Sequence, residues 1–253
     1  MVNMEETKRA LLVGINYIGT SSALSGCIND VKNIKQKLLK QGYLKENIKI
    51  ITDETNKKPT RKVILKSLKK LILSNSEELF FHYSGHGSYV KDKDGSEDDG
   101  KDECLVPLDY KKSGMIIDDE IKDLVMLLKP VQKMLCILDC CHSGTGMDLK
   151  YNLYEKISSK ELAMVANKKE SKTFGECIML SGCADFQTSA DAWEEGQSQG
   201  AMTFAFLKAL NKGAKTYEEL VLSIRKILKK NGYSQVPNLS SGRKLELKSV
   251  IRI

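Results

Sequence analysis

Short, continuous apolar runs alternate with amphipathic helical patterns over the first 180 residues of the chain. The runs cover residues 10–15, 48–51, 79–81, 134–138 and 178–180. Runs this short that are apolar throughout are typical of strands buried on both faces of a sheet. Between them, apolar residues recur at helical spacing, as at Ile28, Val31, Ile34 and Leu38. This alternation predicts an α/β fold, with a mostly parallel central sheet and helices on both faces.

The C-terminal third carries weaker signals. Residues 201–210 have a helical pattern, and Thr216 and Glu219 have the spacing of a capping box that begins a further helix. Residues 243–253 alternate in part, which predicts a strand at the edge of the sheet. Residues 151–175 combine several lysines with poor periodicity, which predicts an exposed connection.

The charge of the chain is basic and spread along its length. Lys and Arg number 40 against 33 Asp and Glu, for a net charge of +7. Such a distribution is typical first of a solvated, lysine-rich surface. No aromatic-interleaved basic cluster, zinc-finger spacing or helix-turn-helix pattern accompanies the charge. We therefore expect no nucleic-acid partner, and we keep a basic nucleic-acid-binding protein as an alternative.

The cysteines and the apolar runs bear on the compartment. The seven cysteines are odd in number and several lie inside apolar runs, so a disulfide framework is not expected. The apolar run at residues 10–15 is shorter than that of a signal peptide, and no run approaches a membrane span. These observations predict a cytoplasmic protein with no membrane partner.

Two chemically distinctive segments each follow an apolar run. They are Tyr83-Ser84-Gly85-His86-Gly87 and Asp139-Cys140-Cys141-His142-Ser143-Gly144. The carboxyl ends of neighbouring parallel strands meet at one edge of a sheet, so His86 and Cys141 can face each other there. A thiol beside an imidazole is the minimum for acyl transfer, and the amides of Gly87 and Cys141 are candidates for an oxyanion hole. The alternative is a buried cysteine that ends a strand and a histidine that caps a loop.

Together with residues 102–109 between them, these two segments resemble those of the metacaspases, the caspase-like cysteine peptidases. The resemblance runs in one order from about residue 8 to the end of the chain. It implies one caspase-like three-layer sandwich domain over residues 1–253, with a larger catalytic half at about 8–150, an exposed linker at about 151–175 and a smaller half at about 176–253. It further implies that His86 is the general base and acid and that Cys141, rather than Cys140, is the nucleophile.

The resemblance also implies a specificity pocket. It places Cys27, Asp30, Ser84 and Asp139 around the side chain that precedes the scissile bond. Two carboxylates select Arg or Lys, and Arg can bind them in a fork. The expected partners are therefore protein or peptide substrates with Arg or Lys before the cut. The alternative for either aspartate is an acceptor in a loop or at a helix terminus.

A further expectation concerns calcium. Residues 92–103 are rich in Asp and Glu, although without the spacing of an EF-hand, and a run of this kind is usually a solvated loop. In calcium-dependent metacaspases the corresponding ligand positions are Asp102, Asp118, Asp119 and Asp148, and all four carboxylates are present. Asp118 has an alternative interpretation as the N-cap of a helix.

These inferences combine into one hypothesis. The chain is expected to be a Ca²⁺-dependent cysteine endopeptidase specific for Arg or Lys, a monomer, and able to cut itself after a lysine in residues 151–175. A catalytically inactive caspase-like scaffold, or a calcium-responsive binding protein, is the alternative from a different class. A zinc protein is disfavoured because Cys140, Cys141 and His142 are contiguous rather than spaced for tetrahedral ligation.

Overall fold

The five apolar runs form five adjacent, parallel strands of one central sheet. A computed structural model describes residues 7–91, 101–140, 147–155, 161–183, 191–194 and 196–253. The strands are β1 (Lys8–Gly14), β2 (Ile48–Thr52), β3 (Glu78–Ser84), β4 (Gly87–Lys91), β5 (Lys101–Leu105), β6 (Ile116–Ile117), β7 (Lys133–Asp139), β8 (Tyr151–Glu155), β9 (Leu162–Ala166), β10 (Glu176–Cys183), β11 (Asp191–Glu194), β12 (Gln197–Gly200) and β13 (Val236–Ser241). Among these residues the central sheet has eight strands in the order β2-β1-β3-β7-β10-β13-β8-β9.

Helices cover both faces of this sheet. They are α1 (Cys27–Lys40), α2 (Arg61–Ile72), α3 (Tyr110–Ser113), α4 (Asp118–Val125), α5 (Ala201–Asn211) and α6 (Tyr217–Lys230). Successive strand side chains point to opposite faces, so Ala10 and Leu12 of β1 pack with α1, α5 and α6, while Leu11 and Val13 pack with α2 and α4. The predicted α/β sandwich with a mostly parallel sheet is confirmed.

The two helices predicted in the C-terminal third are present in the structure. Helix α5 spans the predicted pattern, and α6 begins at the predicted capping box, in which the Thr216 hydroxyl accepts from the Glu219 amide at 3.2 Å. None of the helices in the described parts of the chain has the length and apolar character needed to span a bilayer.

The prediction of an edge strand at residues 243–253 is wrong. The strand is instead β13, which pairs antiparallel with β10 and β8 inside the sheet. Pro237 and the three polar residues of β13 disrupt the apolar pattern by which the sequence would predict a strand. The apolar residues of the tail, Leu245, Leu247, Ile251 and Ile253, cover the core on the α6 face rather than alternate across a sheet.

Two regions form strands that the sequence pattern did not predict. Residues 151–175 contribute β8 and β9, an antiparallel pair that closes the far edge of the sheet, with the side chains of Tyr154 and Val165 exposed. A separate three-stranded sheet joins β4, β5 and β6. Much of the acidic stretch between β4 and β5 lies outside the described residues, whereas Asp102 and Glu103 belong to β5.

Candidate active site

Strands β3 and β7 bring the two distinctive segments side by side. They are parallel neighbours whose register pairs Ser84 with Asp139, and the Gly85 amide donates to the Asp139 carbonyl oxygen at 3.3 Å. His86 follows β3 by two residues, at the carboxyl edge of the sheet. Cys141 and His142 lie outside the described residues, which stop at Cys140 and resume at Met147.

His86 is half-buried and fixed on two sides. Its Nε2 lies 2.8 Å from the carbonyl oxygen of Ser22, and its ring packs against that of Tyr17 with centroids 4.7 Å apart. A carbonyl oxygen only accepts hydrogen bonds, so Nε2 carries the hydrogen in the neutral imidazole. The basic lone pair is then on Nδ1, which is the atom that can take a proton from a thiol.

Two buried tyrosines hold the backbone around His86. The hydroxyl of Tyr17 accepts from the His86 amide at 3.0 Å and donates to the Val106 carbonyl at 2.6 Å. The hydroxyl of Tyr83 donates to the His86 carbonyl at 2.8 Å and accepts from the Val106 amide at 3.2 Å. Burial raises the pKa of both phenols well above the ordinary value, so both stay neutral donors.

Gly85 is required by the same arrangement. A Cβ atom there would lie 2.8 Å from the Tyr83 hydroxyl and 3.1 Å from that of Tyr17. Sequence analysis missed the role of the two tyrosines, because Tyr17 lies far from both distinctive segments and only the fold brings it to His86. In the segment Tyr83-Ser84-Gly85-His86-Gly87, the pattern indicates only that Tyr83 belongs to a buried strand.

The residues predicted to select Arg or Lys are buried together beside β3. Asp30, Ser84 and Asp139 are all buried, as is Cys27, which lies one turn before Asp30 in α1. The Ser84 hydroxyl donates to Asp30 Oδ2 at 2.6 Å. A Cβ atom on Gly200 would lie 2.1 Å from Asp139 Oδ2 and 2.8 Å from Asp30 Oδ2, so both carboxylates lie against this one glycine.

Both carboxylates also accept hydrogen bonds from the beginning of α5. The Gly200 amide donates to Asp30 Oδ1 at 2.9 Å, and the Thr203 amide donates to Asp139 Oδ2 at 2.7 Å. The structure therefore contains the alternative arrangement predicted for these aspartates, in which they accept hydrogen bonds at a helix terminus. It is compatible with a role in binding a cation, because each ionised carboxylate offers about four acceptor positions.

His82 lies in the interior and touches α5. It is fully buried in β3, and its Nε2 is 3.0 Å from the Thr203 hydroxyl. Burial lowers the pKa of His82 to about 3, so the ring is neutral at physiological pH. His82 thus contacts the residue whose amide holds Asp139, a link that a strand pattern alone does not reveal.

The four predicted calcium ligands come from three segments: Asp102 from β5, Asp118 and Asp119 from the first turn of α4, and Asp148 from the residues before β8. Asp118 is the first residue of α4 rather than its N-cap, and its carboxylate accepts from the amides of Glu103 at 2.9 Å and Asp119 at 3.0 Å. Burial raises the pKa of Asp118 to about 7.

The donor chemistry of these side chains fits Ca²⁺, which prefers oxygen ligands and especially carboxylates. Their positions do not form a complete site, because within the described residues no three acidic, histidine or cysteine side chains converge as ligands of one ion. A lysine contributes to the charge balance there, since Lys122 interacts electrostatically with Asp148 and Asp119.

The fold and the site together define a class. A mostly parallel sheet with helices on both faces, bearing a histidine after one central strand and a cysteine pair after the next, is the arrangement of caspase-like cysteine peptidases. The chain belongs to the metacaspase family: residues 8–150 match the metacaspase, peptidase C14 domain.

Curated relatives agree with this assignment. The chain is 34% identical over 293 residues to metacaspase-1 of Mycosarcoma maydis, covering 97% of this chain and 73% of that protein. It is 36% identical over 262 residues to metacaspase-2 of Trypanosoma brucei brucei, covering 96% and 75%. Against metacaspase-1 of Yarrowia lipolytica it is 36% identical over 288 residues, covering 94% of this chain and 62% of that protein. The chain thus spans about three-fifths of the length of that relative.

The fold is shared with protein GSU0716 from Geobacter sulfurreducens, whose crystal structure superposes with a TM-score of 0.68 at 21% identity, over 97% of this chain and 100% of that chain.

Proposed function

We propose that this protein is a cysteine endopeptidase that cleaves peptide bonds after Arg or Lys. The observation that carries the specificity is the buried pair Asp30 and Asp139, both against Gly200 and both beside the strand that leads to His86. Buried carboxylates favour a cationic partner, because the attraction between opposite charges is strong away from water. The long cationic side chain of the substrate enters this pocket.

The chemistry follows from the thiol and the imidazole. Nδ1 of His86 takes the thiol proton of Cys141, and the thiolate attacks the carbonyl carbon of the scissile bond to form a C–S bond. The amides of Gly87 and Cys141 receive the oxyanion. The imidazolium then donates its proton to the leaving amine as the C–N bond breaks.

Hydrolysis of the acyl-enzyme completes the cycle. Water attacks the thioester carbonyl while His86 takes one of its protons, the C–S bond breaks, and the thiol of Cys141 is restored. The backbone hydrogen bonds from Tyr17 and Tyr83 keep His86 in place through both steps, since neither phenol ionises near neutral pH.

The surroundings of Cys140 support Cys141 as the nucleophile. Cys140 is buried and packs in the apolar cluster on the α2 and α4 face, where a substrate carbonyl does not reach.

The proposal includes dependence on Ca²⁺, with Asp102, Asp118, Asp119 and Asp148 as ligands. Its support is that three of these four carboxylates, Asp102, Asp118 and Asp148, are buried, and that, in addition to burial, the charges of Glu103 and Asp119 help to raise the pKa of Asp118. Bound Ca²⁺ supplies positive charge that offsets the repulsion among these carboxylates.

The proposal also includes self-cleavage after a lysine in residues 151–175. Lys168, Lys169 and Lys172 are exposed and lie between β9 and β10, outside any strand. A segment of this kind can enter an active site more easily than paired strands can, because no ladder of hydrogen bonds must first break.

The test is hydrolysis of fluorogenic peptides that end in Arg, Lys or Asp, in Ca²⁺ or in chelator. The proteins are the wild type, Cys141→Ala and the matched variant Cys140→Ala. We expect cleavage after Arg and Lys that needs Ca²⁺ and Cys141 but not Cys140. Cleavage after Asp would refute the pocket, activity in chelator would refute the calcium dependence, and silence on every peptide would favour an inactive scaffold.

A further inference from the structure

A large basic groove lies along α2 at the edge of the central sheet. It has a volume of about 1070 Å³ and is lined by residues from β1, β2, α2 and the connection between α2 and β3. Strand β2 is the last strand of the sheet on this side, so the groove lies at an outer edge of the molecule. No step of the proposed peptidase chemistry uses it.

The charge of the groove is strongly one-sided. Its lining contains Arg9 and one acidic residue, Glu77. It also contains six lysines, namely Lys49, Lys57, Lys62, Lys66, Lys69 and Lys70. Within the described part of the chain, none of these seven cations forms an ion pair with a carboxylate. The groove lining alone therefore carries a positive excess almost as large as the net charge of +7 of the whole chain.

The lysines repel each other. Burial, together with the nearby charges of Lys57, Lys70 and Lys66, lowers the pKa of Lys49. On α2, Lys62, Lys66 and Lys69 follow one another at helical spacing, and like charges so placed destabilise a helix. The first turn of α2 contains no acidic residue that would interact favourably with the positive end of the helix dipole. A bound anion would relieve all three conflicts at once.

The groove is not needed to build the core. Its lysines on α2 are exposed, whereas Ile64, Leu68 and Leu71 bury the other face of α2 against the sheet. Glutamine or glutamate at the same positions would give an equally amphipathic helix without the repulsion. The accumulation of cations is thus explained by a ligand better than by folding.

We propose that this groove binds a soluble small molecule that carries several phosphate groups. Ligand pockets have volumes of about 300–1,000 Å³, so the groove accepts a molecule of that size. Six of the seven cations are lysines, which bind phosphate groups as point charges.

Two other anionic partners fit less well. No aromatic residue lines the groove, so it offers no platform for stacking nucleic-acid bases. A flat membrane surface would leave the volume of about 1070 Å³ inside the groove unfilled. The end of the groove formed by residues 74–77 precedes β3, whereas His86 follows that strand, so a ligand here leaves the active-site edge open.

The test is calorimetric titration of the full chain with inorganic tripolyphosphate at low and at moderate salt. The groove variant is Lys62→Gln/Lys66→Gln/Lys69→Gln. The matched control is Lys32→Gln/Lys226→Gln/Lys229→Gln, which removes the same charge from exposed positions on α1 and α6. Circular dichroism establishes that both variants are folded.

We expect saturable binding in the wild type and in the control, weakened about tenfold or more in the groove variant and also by salt. Three outcomes would overturn the proposal: no binding at millimolar tripolyphosphate, equal weakening in both variants, or tighter binding of duplex DNA of matched charge. Retention on vesicles that contain phosphoinositides, without binding of free tripolyphosphate, would overturn the assignment to a soluble ligand. These results do not depend on peptidase activity.

Discussion

The backbone amide of Gly200 donates to both carboxylate oxygens of Asp30, at 2.9 and 3.0 Å. The same glycine leaves no room for a side chain, since a Cβ atom would lie 2.1 Å from Asp139 Oδ2. The beginning of α5 and the two carboxylates therefore form one unit. A small change at Gly200 tests that unit directly.

We predict that Gly200→Ala lowers kcat/KM for Arg peptides severely and lowers the free energy of unfolding by about 1–3 kcal/mol, because the added methyl group must displace Asp139. Urea unfolding and peptide hydrolysis measure the two effects. Gly182→Ala is the control, as its Cβ would meet neighbours at an ordinary 3.5 Å. Equal effects in both variants would contradict this account of the pocket.

Asp30→Asn and Asp139→Asn each remove one charge from the proposed specificity pocket. We expect kcat/KM for Arg peptides to fall about 100-fold in either variant, since a desolvated cation then loses a charged partner. Glu46→Gln, at an exposed site on a short 3-10 turn, removes one charge elsewhere and should leave the rate unchanged. A rate that falls equally for Arg peptides in all three variants would mean that net charge, not the pocket, matters.

The double variant Tyr17→Phe/Tyr83→Phe removes the hydroxyls that hold His86 and Val106. Each buried backbone group left without a partner costs about 1–3 kcal/mol of stability. We expect reduced stability and a lower kcat, measured by urea unfolding and by hydrolysis. Tyr43→Phe is the control, because the Tyr43 hydroxyl has no hydrogen bond within the described residues and its ring is equally buried. An unchanged kcat would show that the tyrosines do not position His86.

His82 should make stability depend on pH. Its pKa is about 3 in the folded protein and ordinary when unfolded, so protons favour the unfolded state as the pH falls below about 6.5. This contribution is fully present above pH 6.5 and is lost toward pH 3, at about 1.4 kcal/mol per pH unit. Urea unfolding between pH 7.5 and 4.5 should show a smaller loss in His82→Gln, which can still bond Thr203. Parallel curves for the two proteins would refute this.

Self-cleavage should be blocked by removing the three exposed lysines between β9 and β10, with Lys156 and Lys160 of the same segment left in place. We expect Lys168→Gln/Lys169→Gln/Lys172→Gln to stay intact in Ca²⁺ while it still hydrolyses Arg peptides, because the three side chains are exposed and are not among the residues proposed to bind substrate. Mass spectrometry of the wild-type products locates the cut. A wild type that hydrolyses peptides yet never cuts itself would contradict the prediction.

The parallel part of the sheet was predictable because its strands are continuous apolar runs. Strand β13 was not, since Pro237 and its polar neighbours gain their place only from pairing with β10 and β8. Strands β8 and β9 have side chains that are half-exposed or exposed, so apolar periodicity is weak there. Where a segment forms a strand because of its pairing partners and not because its side chains are buried, its own sequence gives little indication of the strand.

The residues of the candidate site also differ in how far their own sequence neighbourhood predicts them. Ser84 ends a recognisable buried strand and His86 follows it, and Asp30 lies on a predicted helix, so the local pattern and the resemblance identify these three residues. Tyr17 and Gly200 act through contacts with residues far away in the chain. Nothing in their own neighbourhoods distinguishes them from ordinary loop and helix-terminal residues.

The order of strands at the far edge of the sheet also determines what a cut there would produce. A break after residues 168–172 would place β7, β8 and β9 on one fragment and β10 and β13 on the other. In the sheet these strands run β7-β10-β13-β8-β9, so the two fragments interdigitate rather than abut. The nicked protein should therefore migrate as one species under native conditions and as two bands only after denaturation.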